Sequence, residues 1–492
     1  MHALSASTTS YLATTRNFLL GGQWKAGRRG TVLPCFDPAS EQQIGEVFSA
    51  TAADVEDAVQ AARAAFDDRR WRGKTPAERQ GILLKVADLI LRDAEILAEL
   101  ETINGGKLFG SALCGEIPHA AETFRYYAGW VTKLGGRLFE PSVPGRQYHG
   151  FVREDPIGVA ALITPWNGAL VAAAWKLAPA LAAGCSCILK PAELTPLSSL
   201  YLCALLQEAG VPEGVVNILP GTGSDVGATL VRHRGVGKIS FTGSTEVGRR
   251  LLVDSAENVA RVSLELGGKS PFIIFADADL EMAIGAAAEA IFSNAGQVCV
   301  AGSRLYAERE VFNEVVEAIT FLARSYRLGP GFDPQSTMGP LISRAHRDRV
   351  HMMVEDARSD GAEVVTGGSR FGEYGHYYSP TVIVDAAPSS AIVQNEVFGP
   401  VVVVTAFEGE SEALKLANDS NYGLAASLWT RDTSRALRLA SDVEAGIIWI
   451  NDHGIPELSM PIGGVKHSGL GREHGIEGLK AFTEPRSVML RL

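Results

Sequence analysis

Between Phe151 and Gly267 the chain alternates short apolar runs with longer stretches of helical periodicity. VAALITPWN, ending at Asn167, reads as a strand, Ala169 to Ala183 as a helix, and CSCILKP as the next strand. Thr195-Pro196 predicts the cap of a helix that stops at Gly210, and VVNILPG, KISFTG and VSLELGG read as three further strands. A strand buried on both faces loses the alternation of polar and apolar residues. Continuous Val/Ile/Leu strands separated by helices therefore predict a parallel sheet covered on both sides. A second α/β set follows Gly267, with SPFIIF as a strand, Leu280 to Ser293 as a helix, and PVVVVTAF and GIIWIN as later strands. Upstream, Thr75-Pro76-Ala77-Glu78 supplies a hydroxyl cap, proline at the first helical position and glutamate at N3. The helical pattern it opens runs to Gly105-Gly106. The closing AFTEPRSVMLRL ends in a strand-like run that must pair somewhere, and an oligomer partner is one answer.

Composition narrows the function classes. The 492 residues are 46% hydrophobic and 21% charged, enough for two or three domains around a substantial core. Net charge is -11 with no block of Lys or Arg, so neither nucleic acid nor an anionic membrane is expected as a partner. The six cysteines, Cys35, Cys114, Cys185, Cys187, Cys203 and Cys299, have no disulfide-framework spacing. They contain no CxxC pair for zinc or redox chemistry, and no metal site is expected. The N-terminal MHALSASTTSYLATTRN is Ser/Thr-rich, without the apolar centre of a signal peptide, and a flexible tail is expected over residues 1–17. No apolar run approaches membrane-spanning length, which makes the cytoplasm the expected location. No fixed-period repeat or long linker appears, so the domains should pack closely.

Several segments can carry chemistry. PGTGSDVG (Pro220 to Gly227) follows a strand and opens a helix, but its glycine spacing is one residue longer than GxGxxG, and an ordinary turn explains it equally well. FTGSTEVG (Phe241 to Gly248) is a second strand-to-helix turn, and helix N-termini of this kind accept phosphate. Lys190 and Glu193, at the carboxyl end of a strand, can reach ribose hydroxyls or form a surface ion pair. Asn167 can donate its side-chain amide to an oxyanion or cap the following helix. Glu265 sits in an apolar strand end, flanked by leucines and followed by two glycines. Burial there should raise its pKa toward a value useful to a general base, unless a structural ion pair holds it. In NAGQVCVAGSRL, Cys299 stands between two valines with glycines nearby, as a core residue or as a nucleophile with room for a ligand.

Together, Asn167, Glu265 and Cys299, with KPAE, FTGS, ELGGKSP, GQVC and EVFGP (Glu396 to Pro400), resemble the aldehyde dehydrogenase superfamily, in order from about Asn17 to the C-terminus. The resemblance implies a Rossmann-type parallel-sheet cofactor domain, an α/β catalytic domain and a small β oligomerisation arm. The boundaries expected are 18–132 and 155–266 for the cofactor domain, 267–466 for the catalytic domain, and 133–154 and 467–492 for bridging segments. It implies a Cys299 thiolate attacking the aldehyde carbonyl, with the oxyanion held by the Asn167 amide and the Cys299 backbone N–H. Hydride transfer to a nicotinamide would leave a thioester, which water activated by Glu265 would hydrolyse. It also places Lys190 and Glu193 on the adenosine ribose, Gly243 and Ser244 near the pyrophosphate, Glu396 on the nicotinamide ribose and Phe398 near its ring. Ile163, Thr164, Trp166, Gly223, Phe241 and Leu266 complete the expected cofactor contacts. Lys176 and Glu473 match a pair proposed as a proton relay in relatives, though Glu473 can equally be an interface or ion-pair residue. A homodimer or homotetramer is expected.

A carboxylate at Glu193 accepts from ribose hydroxyls and repels a 2′-phosphate, favouring NAD over NADP. Departures from the family pattern concern substrate. Gly168 stands where many relatives carry Phe, with Val171 and Ala172 one turn on, and Pro456 and Ile462 stand where aromatics are common. Trp175 is retained, and Val298 and Val300 are candidate walls. A roomy, mainly apolar pocket for an aromatic or arylalkyl aldehyde such as phenylacetaldehyde is expected, although His453 and Glu457 could make it more polar. Betaine aldehyde or a small aliphatic aldehyde is the alternative on the same scaffold. A cofactor-free cysteine hydrolase or esterase is the alternative of another class; it would share Cys299 and Glu265 but not require KPAE, FTGS or EVFGP.

Overall fold

The computed structural model describes residues 4–28, 30–455 and 457–492. Its first large sheet has six strands in the order Gly469–Leu470, Arg261–Glu265, Lys238–Thr242, Val159–Ile163, Ser186–Lys190 and Val216–Ile218. All but the two-residue strand at the edge pair in parallel. Every residue of Val159–Ile163 and Ser186–Lys190 is buried, which is why these strands read as unbroken apolar runs. From Val159–Ile163 the chain first adds strands on one side, then returns to add Lys238–Thr242 on the other. That reversal opens a crevice at the carboxyl ends of the two strands, where open α/β sheets take ligands. The helix Ala169–Ala183 leaves this crevice from Gly168 and stops at Gly184, whose φ of 100° suits only glycine.

The second large sheet has seven strands in the order Glu363–Thr366, Thr381–Val384, Val401–Phe407, Arg304–Glu308, Pro271–Ile274, Ala425–Trp429 and Ile447–Ile450. All but the first run parallel. Its helices Leu280–Phe292 and Phe312–Ser325 bury their apolar faces in a separate core. A third sheet joins Thr483–Arg491, Tyr148–Pro156 and Arg137–Phe139.

Three expectations change and a fourth is met. The helical run from Thr75 to Gly106 is two helices, Pro76–Arg92 and Ala94–Gly105. Asp93 breaks it at φ -103°, ψ 25°, where its carboxylate accepts from Arg92 at 2.7 Å and from the Tyr201 hydroxyl at 2.9 Å. The segment expected to be a flexible tail contains a helix, Ala6–Leu12. The buried Glu99 carboxylate needs donors, and the Ser5 amide and hydroxyl supply them at 2.8 and 2.7 Å, with the Thr8 hydroxyl. Thr195 does not cap the next helix. Its hydroxyl donates to the Trp166 carbonyl at 3.1 Å, tying that helix to the loop before Asn167. The C-terminal strand finds a partner within the chain, pairing antiparallel with Tyr148–Pro156.

Candidate active site

Cys299 lies in the loop between Leu280–Phe292 and the strand Arg304–Glu308. The chain leaves the helix through Asn294, Ala295 and Gly296, at φ of 49°, 54° and 72°. A Cβ at Gly296 would stand 2.1 Å from the Gly399 carbonyl oxygen, so the turn is possible only with glycine there. Gln297, fully buried, pins the loop: its Nε2 donates to the Asn294 carbonyl at 2.9 Å and its Oε1 accepts from the Ile342 amide at 2.8 Å. Its own carbonyl accepts from Nδ2 of Asn167 at 2.9 Å, which joins the end of the first sheet to the cysteine loop. Cys299 is half-buried. Burial, then the carboxylates of Glu396 and Glu265, pushes its thiol up to about 12, against the backbone amides of Cys299 and Val300.

Glu265 ends the strand Arg261–Glu265, and its Oε1 is buried without a hydrogen-bond partner. A Cβ at Gly463 would approach that oxygen to 2.8 Å, so the carboxyl group packs against bare backbone. Burial and the nearby Glu473 carboxylate raise its pKa well above the usual range, and Lys176, Arg472 and the Gly464 amide offset only part. Glu473 forms a buried ion pair with Lys176. Ser240 bridges them, accepting from Lys176 Nζ at 3.0 Å and donating to Glu473 Oε1 at 3.2 Å. The cation of this pair offsets the Glu473 charge at Glu265 only in part.

A cavity of about 2140 Å³ connects the crevice to the cysteine loop. Cys299 and Asn167 line it. So do Ile163, Thr164, Trp166, Lys190, Glu193, Gly223, Phe241, Gly243, Ser244, Leu266, Glu396 and Phe398. Gly168, Val171, Ala172, Trp175, Val298, Val300 and Ile462 complete the expected set along its walls. Glu265, Lys176 and Glu473 stand behind the wall, and Pro456 lies outside the described residues. His453 is also behind it, with Nδ1 2.7 Å from the Ser427 hydroxyl.

The crevice half of the cavity suits a dinucleotide. Lys190 Nζ is buried 3.0 Å from Glu193, whose side chain remains 44% exposed and lines the cavity. Burial works to raise the Glu193 pKa, but Lys190 and the Gly223 amide hold it below the usual range. Ser244 caps the helix Thr245–Ser255, accepting from the Val247 amide at 3.3 Å, and Ser244, Glu246 and Val247 of this helix start line the cavity. A Cβ at Gly223 would meet nothing within 4 Å, leaving backbone open to close approach. Glu396 accepts from the Gly268 amide at 2.9 Å, and burial lifts its pKa to about 7. Phe398, at φ 57°, turns its ring edge-on to Trp166 with centroids 5.3 Å apart. Its carbonyl accepts from His346 Nε2 at 2.7 Å.

The aldehyde dehydrogenase family model matches residues 24–488. The chain belongs to the aldehyde dehydrogenase family. It is 41% identical to human retinal dehydrogenase 2, over 100% of this chain and 95% of that one. It is 40% identical to phenylacetaldehyde dehydrogenase of Pseudomonas fluorescens, over 97% and 96% of the two chains. The NAD+ complex of an aldehyde dehydrogenase from Bacillus cereus superimposes with a TM-score of 0.97 at 41% identity, over 100% and 99% of the chains. The protein is thus an enzyme of the aldehyde dehydrogenase type.

This aldehyde dehydrogenase has polar cavity residues that its sequence did not signal. Lys107, Glu116, His119, Asp452 and His474 line the cavity, with Glu457 as anticipated. Lys107 is buried in a pair with Glu101 and Glu116. Glu101 also accepts from the Leu170 amide at 3.2 Å, at the first turn of the helix that follows Asn167. Only the helical spacing of Glu116 and His119, one turn apart, could have hinted that they share a face.

Proposed function

We propose that the enzyme oxidises a bulky aryl or arylalkyl aldehyde to its carboxylic acid, with NAD as oxidant in preference to NADP. The observation that carries this reading is the Asn167–Gln297 hydrogen bond, which sets a side-chain amide beside the Cys299 loop in one cavity with the crevice. Cys299 adds to the carbonyl carbon as thiolate, and its own N–H with the Asn167 amide takes the negative charge that develops on oxygen. Lys190, Glu193, Gly243, Ser244 and Glu396 would hold the dinucleotide, which when bound supplies the acceptor for the aldehyde hydride. Burial raises the proton affinity of the Glu265 carboxyl, and as the carboxylate it would accept a proton from the water that cleaves the thioester. Lys176 and Glu473 act on that step through their charges, as a positioning pair behind the wall. The half-exposed Glu193 carboxylate favours NAD, because a 2′-phosphate would bring a second negative charge against it.

A Cβ at Gly168 would meet nothing within 4 Å, so the space left by the missing large side chain has not been refilled. That volume supports a bulky substrate. The domain limits 18–132 with 155–266 and 267–466 belong to the same proposal, with the six-stranded sheet taking its edge strand Gly469–Leu470 from beyond them. So does a dimer or tetramer built on the third sheet, whose exposed Leu138, Phe139, Met489 and Leu490 invite cover. A cytoplasmic location also belongs here; among the described residues no helix is long and apolar enough to cross a membrane.

A panel of aliphatic, aromatic and cationic aldehydes, read by NADH formation, tests the substrate reading. Arylalkyl aldehydes should give the highest kcat/KM; a preference for short aliphatic or quaternary ammonium aldehydes would overturn it. NADP in place of NAD should lower kcat/KM in the same assay.

A further inference from the structure

Beside the crevice, one face of a helix grips three successive backbone carbonyls. The helix is Arg344–Ser359, and His346 and Arg349, three positions apart, both line the cavity. Arg349 donates through Nη2 to the Glu396 carbonyl at 2.7 Å and through Nη1 to the Val397 carbonyl at 2.9 Å. His346 Nε2 donates to the Phe398 carbonyl at 2.7 Å and completes the row. Glu396 to Phe398 lie in no helix or strand, so their carbonyls take these side-chain donors in place of a ladder.

The gripped segment is strained and tightly seated. Phe398 has φ 57°, which an aromatic residue keeps only where its surroundings over-determine it. Trp166 packs edge-on to both rings, with centroids 5.4 Å from His346 and 5.3 Å from Phe398. A Cβ at Gly399 would come within 2.8 Å of Val350, the next residue of the helix. On the other side, a Cβ at Gly296 would clash with the Gly399 carbonyl oxygen. The segment is thus wedged between the helix and the turn that leads to Cys299. Its carboxyl reaches further in: a Cβ at Gly267 would clash with Glu396 Oε2, and one at Gly268 with the Cys299 carbonyl oxygen. Glu396 and the cysteine loop therefore lie against neighbouring residues.

We propose that His346 and Arg349 are positioning residues, which hold the Glu396–Phe398 backbone so that the Glu396 carboxyl stays near the Cys299 thiol and the pair Glu396 and Phe398 is set for the nicotinamide end of the cofactor. The part that concerns the cofactor rests on the crevice being the dinucleotide site. Both residues act through the backbone they grip. The planar fork of arginine spans two successive carbonyls, which a single ammonium group does less well. His346 supplies one N–H, a donor that glutamine also carries and leucine lacks.

Labelling of Cys299 by iodoacetamide at pH 9, without cofactor, reads the grip directly. His346→Leu and Arg349→Met should each be labelled several-fold faster than wild type, because the Glu396 carboxylate is no longer kept near the thiol. In a Glu396→Gln background the same substitutions should add nothing, and His346→Gln should label as wild type does. Calorimetric titration with NAD should show about tenfold weaker binding to His346→Leu and Arg349→Met. Their burst of NADH on rapid mixing with aldehyde should slow by about 10–10²-fold. If His346→Leu fails to fold, Arg349→Met, at an exposed position, decides. Wild-type labelling in Arg349→Met and His346→Leu overturns the grip. So does acceleration that persists in the Glu396→Gln background, which would mean a cysteine loop merely opened to reagent. Labelling altered as expected, with NAD affinity and burst unchanged, overturns the cofactor reading of the crevice and leaves the hold on Glu396 standing.

Discussion

The side-chain amide of Asn167 donates one hydrogen to the backbone carbonyl of Gln297 at 2.9 Å, two residues before Cys299. A primary amide carries two hydrogens, so one can hold the loop while the other meets the oxyanion. Asn167→Ala removes both functions and should lower kcat by about 10²–10³ for loss of one oxyanion donor. Steady-state NADH formation measures this. Asn167→Asp should be worse still, since it brings a negative charge toward the developing one; activity equal to or above that of the alanine variant would contradict this placement.

Two carboxylates raise the Cys299 thiol, with Glu396 the stronger. Glu396 has a pKa of about 7 and is anionic at pH 9, where removing its charge should lower the thiol pKa. Below its pKa a thiol reacts in proportion to its thiolate fraction. Glu396→Gln should therefore be alkylated by iodoacetamide several-fold faster than wild type at pH 9, without cofactor present. Slower labelling would mean that Glu396 does not face the thiol as an anion.

Local structure was the more legible part of the sequence. The helix Ala169–Ala183 is bounded as its glycines suggest, and the strands around it are buried on both faces as their apolar runs imply. Asp93 hid a break because an aspartate within helical periodicity carries no stop signal of its own; its partner Tyr201 lies 108 positions away. Ser5 and Thr8 looked like a loose terminus because the charge they serve, Glu99, lies 94 and 91 positions away in the chain. In the site, Asn167, Glu265 and Cys299 could be recognised as a set from their motifs. His119 and His474 belong to no motif, and only the fold brings them together around Trp175.

Glu265 holds its Oε1 unpaired behind the cavity wall, close enough to Cys299 to raise the thiol. Glu265→Gln keeps the shape of the side chain but cannot take a proton from water. Rapid mixing should show a burst of NADH near one equivalent per site, followed by a steady rate about 10²–10⁴-fold slower than wild type. Equal loss of the burst and the steady phase would assign Glu265 to acylation or to holding the fold.

Lys269 is 1% exposed, and its Nζ has no hydrogen-bond partner. Burial, with Arg304 nearby, brings its pKa from 10.5 down to about 7, against the pull of Glu396. Between those two values the unfolded chain binds a proton that the folded chain does not, so folding stability rises with pH across that window. The penalty is full below about pH 7 and fades toward pH 10.5. Lys269→Met removes the titration and should gain stability over wild type at pH 6. By pH 9 that gain should shrink by roughly 2–3 kcal/mol. Denaturant unfolding of both proteins at the two pH values gives the comparison. A variant that is less stable than wild type at pH 6, and recovers at pH 9, would show that Lys269 is charged and paired in the folded enzyme.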